Sequence, residues 1–284
     1  MCYHADMKSE EGTFKKTRES LGQHLDKKFA EHVLEKGLST PQALATDVLR
    51  MLKVEPVYTQ SEKPEFSEMR RKLNEEPGVL IANHPSGLDA FLLLKMIERK
   101  DIKIITSGNA LSRLSSMFPE QYFYGVTGSS TAVRKQIQDM TEHIQAGGLL
   151  VFFPTGGEDQ EAGKGTSYEF KGLFGHLLKE VLSPSDMIYS CWIDPNDIKS
   201  FASEKLPRKA GVLSEIILPG DFNVNSLREN GPVRIDERCA DVGEWREVIS
   251  GMKSGRQANQ TLTRHFLDQF GQKEISEVRP EWTT

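Results

Sequence analysis

Two side chains five positions apart, His84 and Asp89, have the types and spacing to do acid–base chemistry. They lie in VLIANHPSGLDAFLLLKMI, residues 79–97. An apolar, strand-like run ends at Ala82, and Asn83 and His84 follow where an open sheet places its ligands. Pro85, Ser86 and Gly87 then supply a turn, and Leu88-Asp89 opens an apolar helical pattern. On one continuous helix, residues five apart face different ways; across a turn, an aspartate can fold back onto a histidine. Asp89 accepting the proton of one imidazole nitrogen would leave the other nitrogen as an acceptor, which makes His84 a general base near neutral pH. Such a base takes the proton from an alcohol as its oxygen attacks an activated acyl carbon, while the carboxylate stabilises the imidazolium that forms. Ser86 reads as a turn or cap group rather than a nucleophile. With Asn83 and Gly87 it borders the place a substrate would occupy.

A second turn follows another apolar run. Residues 147–158 read GGLLVFFPTGGE, so Phe153, Pro154, Thr155, Gly156, Gly157 and Glu158 leave a second buried strand. Adjacent glycines allow close backbone approach to a substrate, or N–H groups aimed at a developing oxyanion. Downstream, Gly163-Lys164-Gly165-Thr166 has the flavour of a phosphate loop. The motif would need glycine at 158 and serine or threonine at 165, where Glu158 and Gly165 stand, so ATPase chemistry is rejected.

The elements that must position these turns are legible as alternating patterns. Apolar, partly β-branched segments at 79–82, 102–106, 122–126, 149–153, 187–193 and 212–218 predict strands. Amphipathic stretches at 88–99, 130–145 and 171–182 predict the helices between them. This order predicts an α/β fold with a mixed, largely parallel sheet and helices on both faces. Ahead of it, Leu21, Leu25, Phe29 and Val33 recur every four residues, Gly37 is placed to end that helix, and Thr40-Pro41 starts another. The expected organisation is therefore a polar tail and helical hairpin over 1–53, then one α/β domain over 54–284. Residues 241–269 read as a closing helix slackened near Gly251 and Gly255.

Composition narrows the class. The 284 residues are 37% hydrophobic and carry 36 Lys plus Arg against 41 Asp plus Glu, a formal net charge of -5. That balance, without a zinc-finger spacing or basic stripe, argues against a nucleic-acid role. Three cysteines at long spacing suit a reducing, cytoplasmic compartment, and no H-E-x-x-H or CxxC pattern calls for a metal. No apolar run approaches the roughly 20 residues that span a bilayer, although peripheral membrane contact stays open. The G-x-S-x-G turn of α/β-hydrolases is also missing. Lys95, Arg99, Lys100 and Lys103 form a basic cluster at the end of the first crossover, either a solvated face with favourable charges near a helix C-terminus or a contact for the phosphates of coenzyme A or an acidic carrier protein; the first is preferred.

Taken together, Asn83-His84 with Asp89, then Phe153-Pro154 with Gly156, then Phe170-Lys171-Gly172 with Phe174, resemble the glycerolipid acyltransferase family over roughly residues 54–218. The first motif, N-H-x-x-x-x-D, is matched fully; F-P-E-G-T-R and F-K-x-G-x-F are matched in part. The resemblance implies an enzyme of lipid metabolism, of the kind used in phospholipid biosynthesis. In it His84 and Asp89 act on a fatty acyl thioester of coenzyme A or acyl carrier protein, with no permanently bound cofactor. Thr155 stands where that family has glutamate, and Glu158 where it has an arginine. A carboxylate facing a phosphate is repulsive, so the usual glycerol-3-phosphate site is altered. Either Lys171, Lys164, Arg113 or Arg134 compensates, or the acceptor carries no phosphate there; the second is preferred. An acyl-thioester hydrolase, and a carrier-protein or lipid-binding module without turnover, remain as other readings.

Overall fold

The computed structural model describes residue 31 and residues 33–51, 53–85, 88–106, 123–125, 130–156, 170–198 and 232–272. The first hairpin helix up to residue 30 and the expected strand at 212–218 lie outside them, as do Ser86, Gly87, Arg113, Gly157, Glu158 and Lys164.

Residues 33–35 are the helical end before Gly37, whose φ of 62° suits glycine. Leu38 N–H donates to Val33 O and Gly37 N–H to Leu34 O, which closes that end. Helix α1 (Pro41–Met51) then starts as expected, with Thr40 Oγ1 accepting from Ala43 N–H at 3.1 Å. The elements that follow are β1 (Pro56–Tyr58), α2 (Pro64–Glu75), β2 (Gly78–Ala82), α3 (Asp89–Met96), β3 (Ile102–Thr106) and β4 (Phe123–Gly125). After them come α4 (Ser130–Gln145), β5 (Leu149–Phe152) and α5 (Gly172–His176), which runs on as a π-turn over Leu177–Val181. The chain continues through β6 (Met187–Ile193), the short α6 (Pro195–Ile198), β7 (Val233–Asp241), α7 (Val242–Val248) and α8 (Gly255–Gln269).

One 7-stranded sheet has the order β1-β7-β6-β2-β5-β3-β4. Strands β6, β2, β5, β3 and β4 run parallel, while β7 joins β6 antiparallel and β1 lies parallel to β7. The sheet is thus mixed and largely parallel, with helices on both faces. Strand alternation divides the core. Leu80, Ala82, Val151, Phe153 and Cys191 face α1 and α3, whereas Val79, Ile81, Leu150, Phe152 and Trp192 face α4, α5, α7 and α8. Helix α1 is part of the first layer: Leu44, Ala45, Val48 and Leu49 share one cluster with Leu92 and Leu93 of α3.

Four elements escaped the sequence patterns: β1, α2, the four-residue α6 and β7. Strand β1 has only 3 residues, and α2 buries only Leu73, so neither shows a clear period. The expected closing helix over 241–269 is corrected to a strand end and two helices. Asp241 caps α7 by accepting from Glu244 N–H, Gly251 turns the chain at φ 76°, and Ser254 caps α8.

Candidate active site

The site grows from the carboxyl ends of two neighbouring parallel strands. In the ladder Ile81 of β2 pairs with Phe152 of β5. Continuing the alternation past each strand end puts His84 and Phe153 on the face that α3 covers. Asp89 is the first residue of α3, where the helix dipole favours a carboxylate. The structure brings His84 and Asp89 together: Nδ1 of the imidazole lies 2.8 Å from Asp89 Oδ2. The Asp89 side chain is fully buried, while 21% of the His84 side chain is exposed. A buried carboxylate accepting from Nδ1–H fixes the tautomer that leaves Nε2 as the acceptor.

Phe153 does something the sequence did not announce. Its ring stacks on His84 with centroids 4.4 Å apart and planes 22° apart. The signal was present in the period-two run Leu149, Val151, Phe153, but only the β2–β5 register shows which side chain lies alongside.

Asn83, expected at the substrate, turns its side chain elsewhere. It is buried, with Nδ2 donating to Ile193 O at 2.8 Å and Oδ1 accepting from Ile193 N–H at 2.7 Å. The β2–β6 ladder ends at Ala82 and Cys191, so the Asn83 amide acts as one more peptide unit for Ile193. That frees the backbone to leave the sheet towards α3 without orphaning two buried groups. Asn83 is a structural clamp.

In the second turn Pro154 is buried, Thr155 half-buried and Gly156 exposed. Gly156 takes a φ of 72°, and its N–H donates to Phe153 O at 3.0 Å. Lys171, exposed at the start of α5, donates its N–H to Pro154 O at 2.8 Å. A Cβ at Gly156 would stand 3.3 Å from Lys171 Cγ, so this lysine adjoins the turn. Among the cations considered for an anionic group, Arg134 is exposed on α4, across the sheet from Asp89.

The basic cluster belongs to the other end of the sheet. Arg99 donates to Glu76 O, Gly147 O and Asp101, tying together the amino ends of the strands. Lys95 Nζ reaches Thr46 Oγ1 at 3.2 Å. A patch there does not border the His84 turn. His143 binds Leu149 O at the same end, and His176 pairs with Glu180 at 3.1 Å. Among the described residues no group of His, Cys, Asp or Glu is gathered as metal ligands would be.

Residues 61–194 match the model of the Acyltransferase family. The chain is an enzyme that transfers acyl groups. The matched span holds both turns, the His84–Asp89 pair, Phe153 and Lys171 of this acyltransferase domain. No curated protein matches the chain. No described helix is long and apolar enough to cross a membrane.

Proposed function

We propose that this enzyme moves a fatty acyl group from a coenzyme A or acyl-carrier thioester to a hydroxyl or amine acceptor, with His84 as general base. The observation that carries this reading is the 2.8 Å contact between His84 Nδ1 and the buried Asp89 inside the matched domain. Nε2 takes the proton of the acceptor as its oxygen or nitrogen attacks the thioester carbonyl carbon. The tetrahedral intermediate collapses with cleavage of the C–S bond, and the imidazolium returns its proton to the departing thiolate. Products are an ester or amide and a free thiol.

The acceptor we favour carries no phosphate where glycerol 3-phosphate would. Thr155 and Glu158 replace the residues expected there, and Lys171 is the described cation beside the turn. The reading is tested by incubating the protein with acyl-CoA and acyl-carrier thioesters, with and without pooled alcohols and amines, and following thiol and acyl products by mass spectrometry. Thiol release that needs both His84 and an added acceptor supports it. Release without acceptor points to a hydrolase, for which the lost acceptor cations are the favouring observation. Glycerol 3-phosphate emerging as the best acceptor overturns the acceptor assignment.

A further inference from the structure

We infer that Phe153 is a positioning residue for the base: its ring holds the His84 imidazole in the one orientation that keeps Nδ1 on Asp89 and Nε2 towards the reacting groups. The inference rests on the proposed role of His84 and adds a residue that acts through it. The imidazole turns about χ2, a broad and soft torsion, so a flat neighbour that limits this rotation helps to keep Nδ1 on Asp89. The Asp89 contact fixes one edge, and the Phe153 ring, 4.4 Å away and 22° from parallel, closes one face. Phe153 is itself held: it is buried, its carbonyl accepts from Gly156 N–H, and the next carbonyl, of Pro154, accepts from Lys171 N–H. A substrate is thereby kept off the face that Phe153 covers. The imidazolium formed after proton transfer also meets the negative face of the phenyl ring, which favours the charged state when it is needed.

A leucine fills similar volume but offers no flat face, whereas tyrosine restores one. With Phe153→Leu, kcat for thiol release should fall about 10- to 100-fold with little change in KM, the size of a small misplacement of a reacting group. Phe153→Tyr should stay within about threefold of the parent. An independent readout comes from protein labelled with 15N at histidine, the His84 ring signals being assigned by their loss in His84→Ala. The parent and Phe153→Tyr should show a single tautomer protonated at Nδ1, and Phe153→Leu an average of both. A single tautomer retained in Phe153→Leu, or equal losses of kcat in the Leu and Tyr variants with matching drops in thermal midpoint, would overturn the inference. The ring signals need no turnover. Averaging confined to the Leu variant therefore upholds the positioning role even if every thioester fails as a substrate, an outcome that would sink only the proposed reaction.

Discussion

Two corners of one sheet face treat buried polar groups in opposite ways. At the β2–α3 corner Asn83 is bound twice by Ile193, and Asp89 is bound by His84. At the β1–β7 corner the two oxygens of Glu237 and the Tyr58 hydroxyl are buried without a hydrogen-bond partner among the described residues. Glu237 occupies an apolar register of β7, in line with Val233 and Ile235, and faces Cys191. Burial pushes its carboxyl up to about 8, despite the opposing pull of Arg70, and Asp236 pushes the same way. Tyr58 is raised to about 12, again chiefly by burial. Arg70 is occupied between them, its guanidinium over the Tyr58 ring at 4.6 Å while Nη1 donates to Met96 O. The difference teaches that a buried carboxylate with a partner that shares its proton is equipped for the acid–base role proposed for Asp89. Without one, burial simply keeps it neutral.

The comparison is broken most forcefully by matched amidations. Asp89→Asn, which removes the charge and lets an amide N–H donate to Nδ1 and select the wrong tautomer, should lower acyl transfer about 10²–10⁴-fold, as should His84→Ala, with folding intact by circular dichroism. Glu237→Gln should leave turnover within about twofold of the parent. Parent-like activity in Asp89→Asn would erase the distinction between the corners.

Stability sharpens it next. A carboxyl raised from 4.5 to about 8 keeps its proton in the folded chain while the unfolded chain has lost it. Between those values folding takes up a proton, so stability falls as pH rises through the window and levels off above about 8. Urea denaturation from about pH 5 to 9 should show Glu237→Gln removing a decline on the order of 3–5 kcal/mol. An unchanged slope would mean that Glu237 finds a partner when charged.

A smaller effect is expected at the satisfied corner. Asn83→Ala orphans the N–H and C=O of Ile193 and should cost about 2–4 kcal/mol of stability by the same denaturation. A loss below about 1 kcal/mol would show that water replaces the clamp. The smallest change belongs to Gly156→Ala. A φ of 72° is strained for alanine, and the new Cβ presses on Lys171, so about 1–2 kcal/mol should be lost. No measurable loss would mean that the turn relaxes to negative φ.

Local pattern determined much of this protein by itself. The runs at 102–106, 187–193 and 130–145 fold with the predicted bounds, because side-chain period and burial are local properties. The turn between Ala82 and Asp89 was likewise legible, since Pro85 and Gly87 interrupt the chain between an apolar strand and an apolar helix. The alternation Val233-Arg234-Ile235-Asp236 also carried a strand signal, broken where Glu237 takes an inward position. What neighbours what was decided only by the tertiary structure. Asn83 and Ile193 are 110 positions apart, and Phe153 meets His84 because β5 lies beside β2 in a particular register. A strand's sequence shows which side chains share a face, but the strand alongside is chosen by the packing of the whole sheet. For the same reason His84 and Asp89 could be paired from the sequence, while the ring that stacks on the histidine and the carbonyl that claims Asn83 could not.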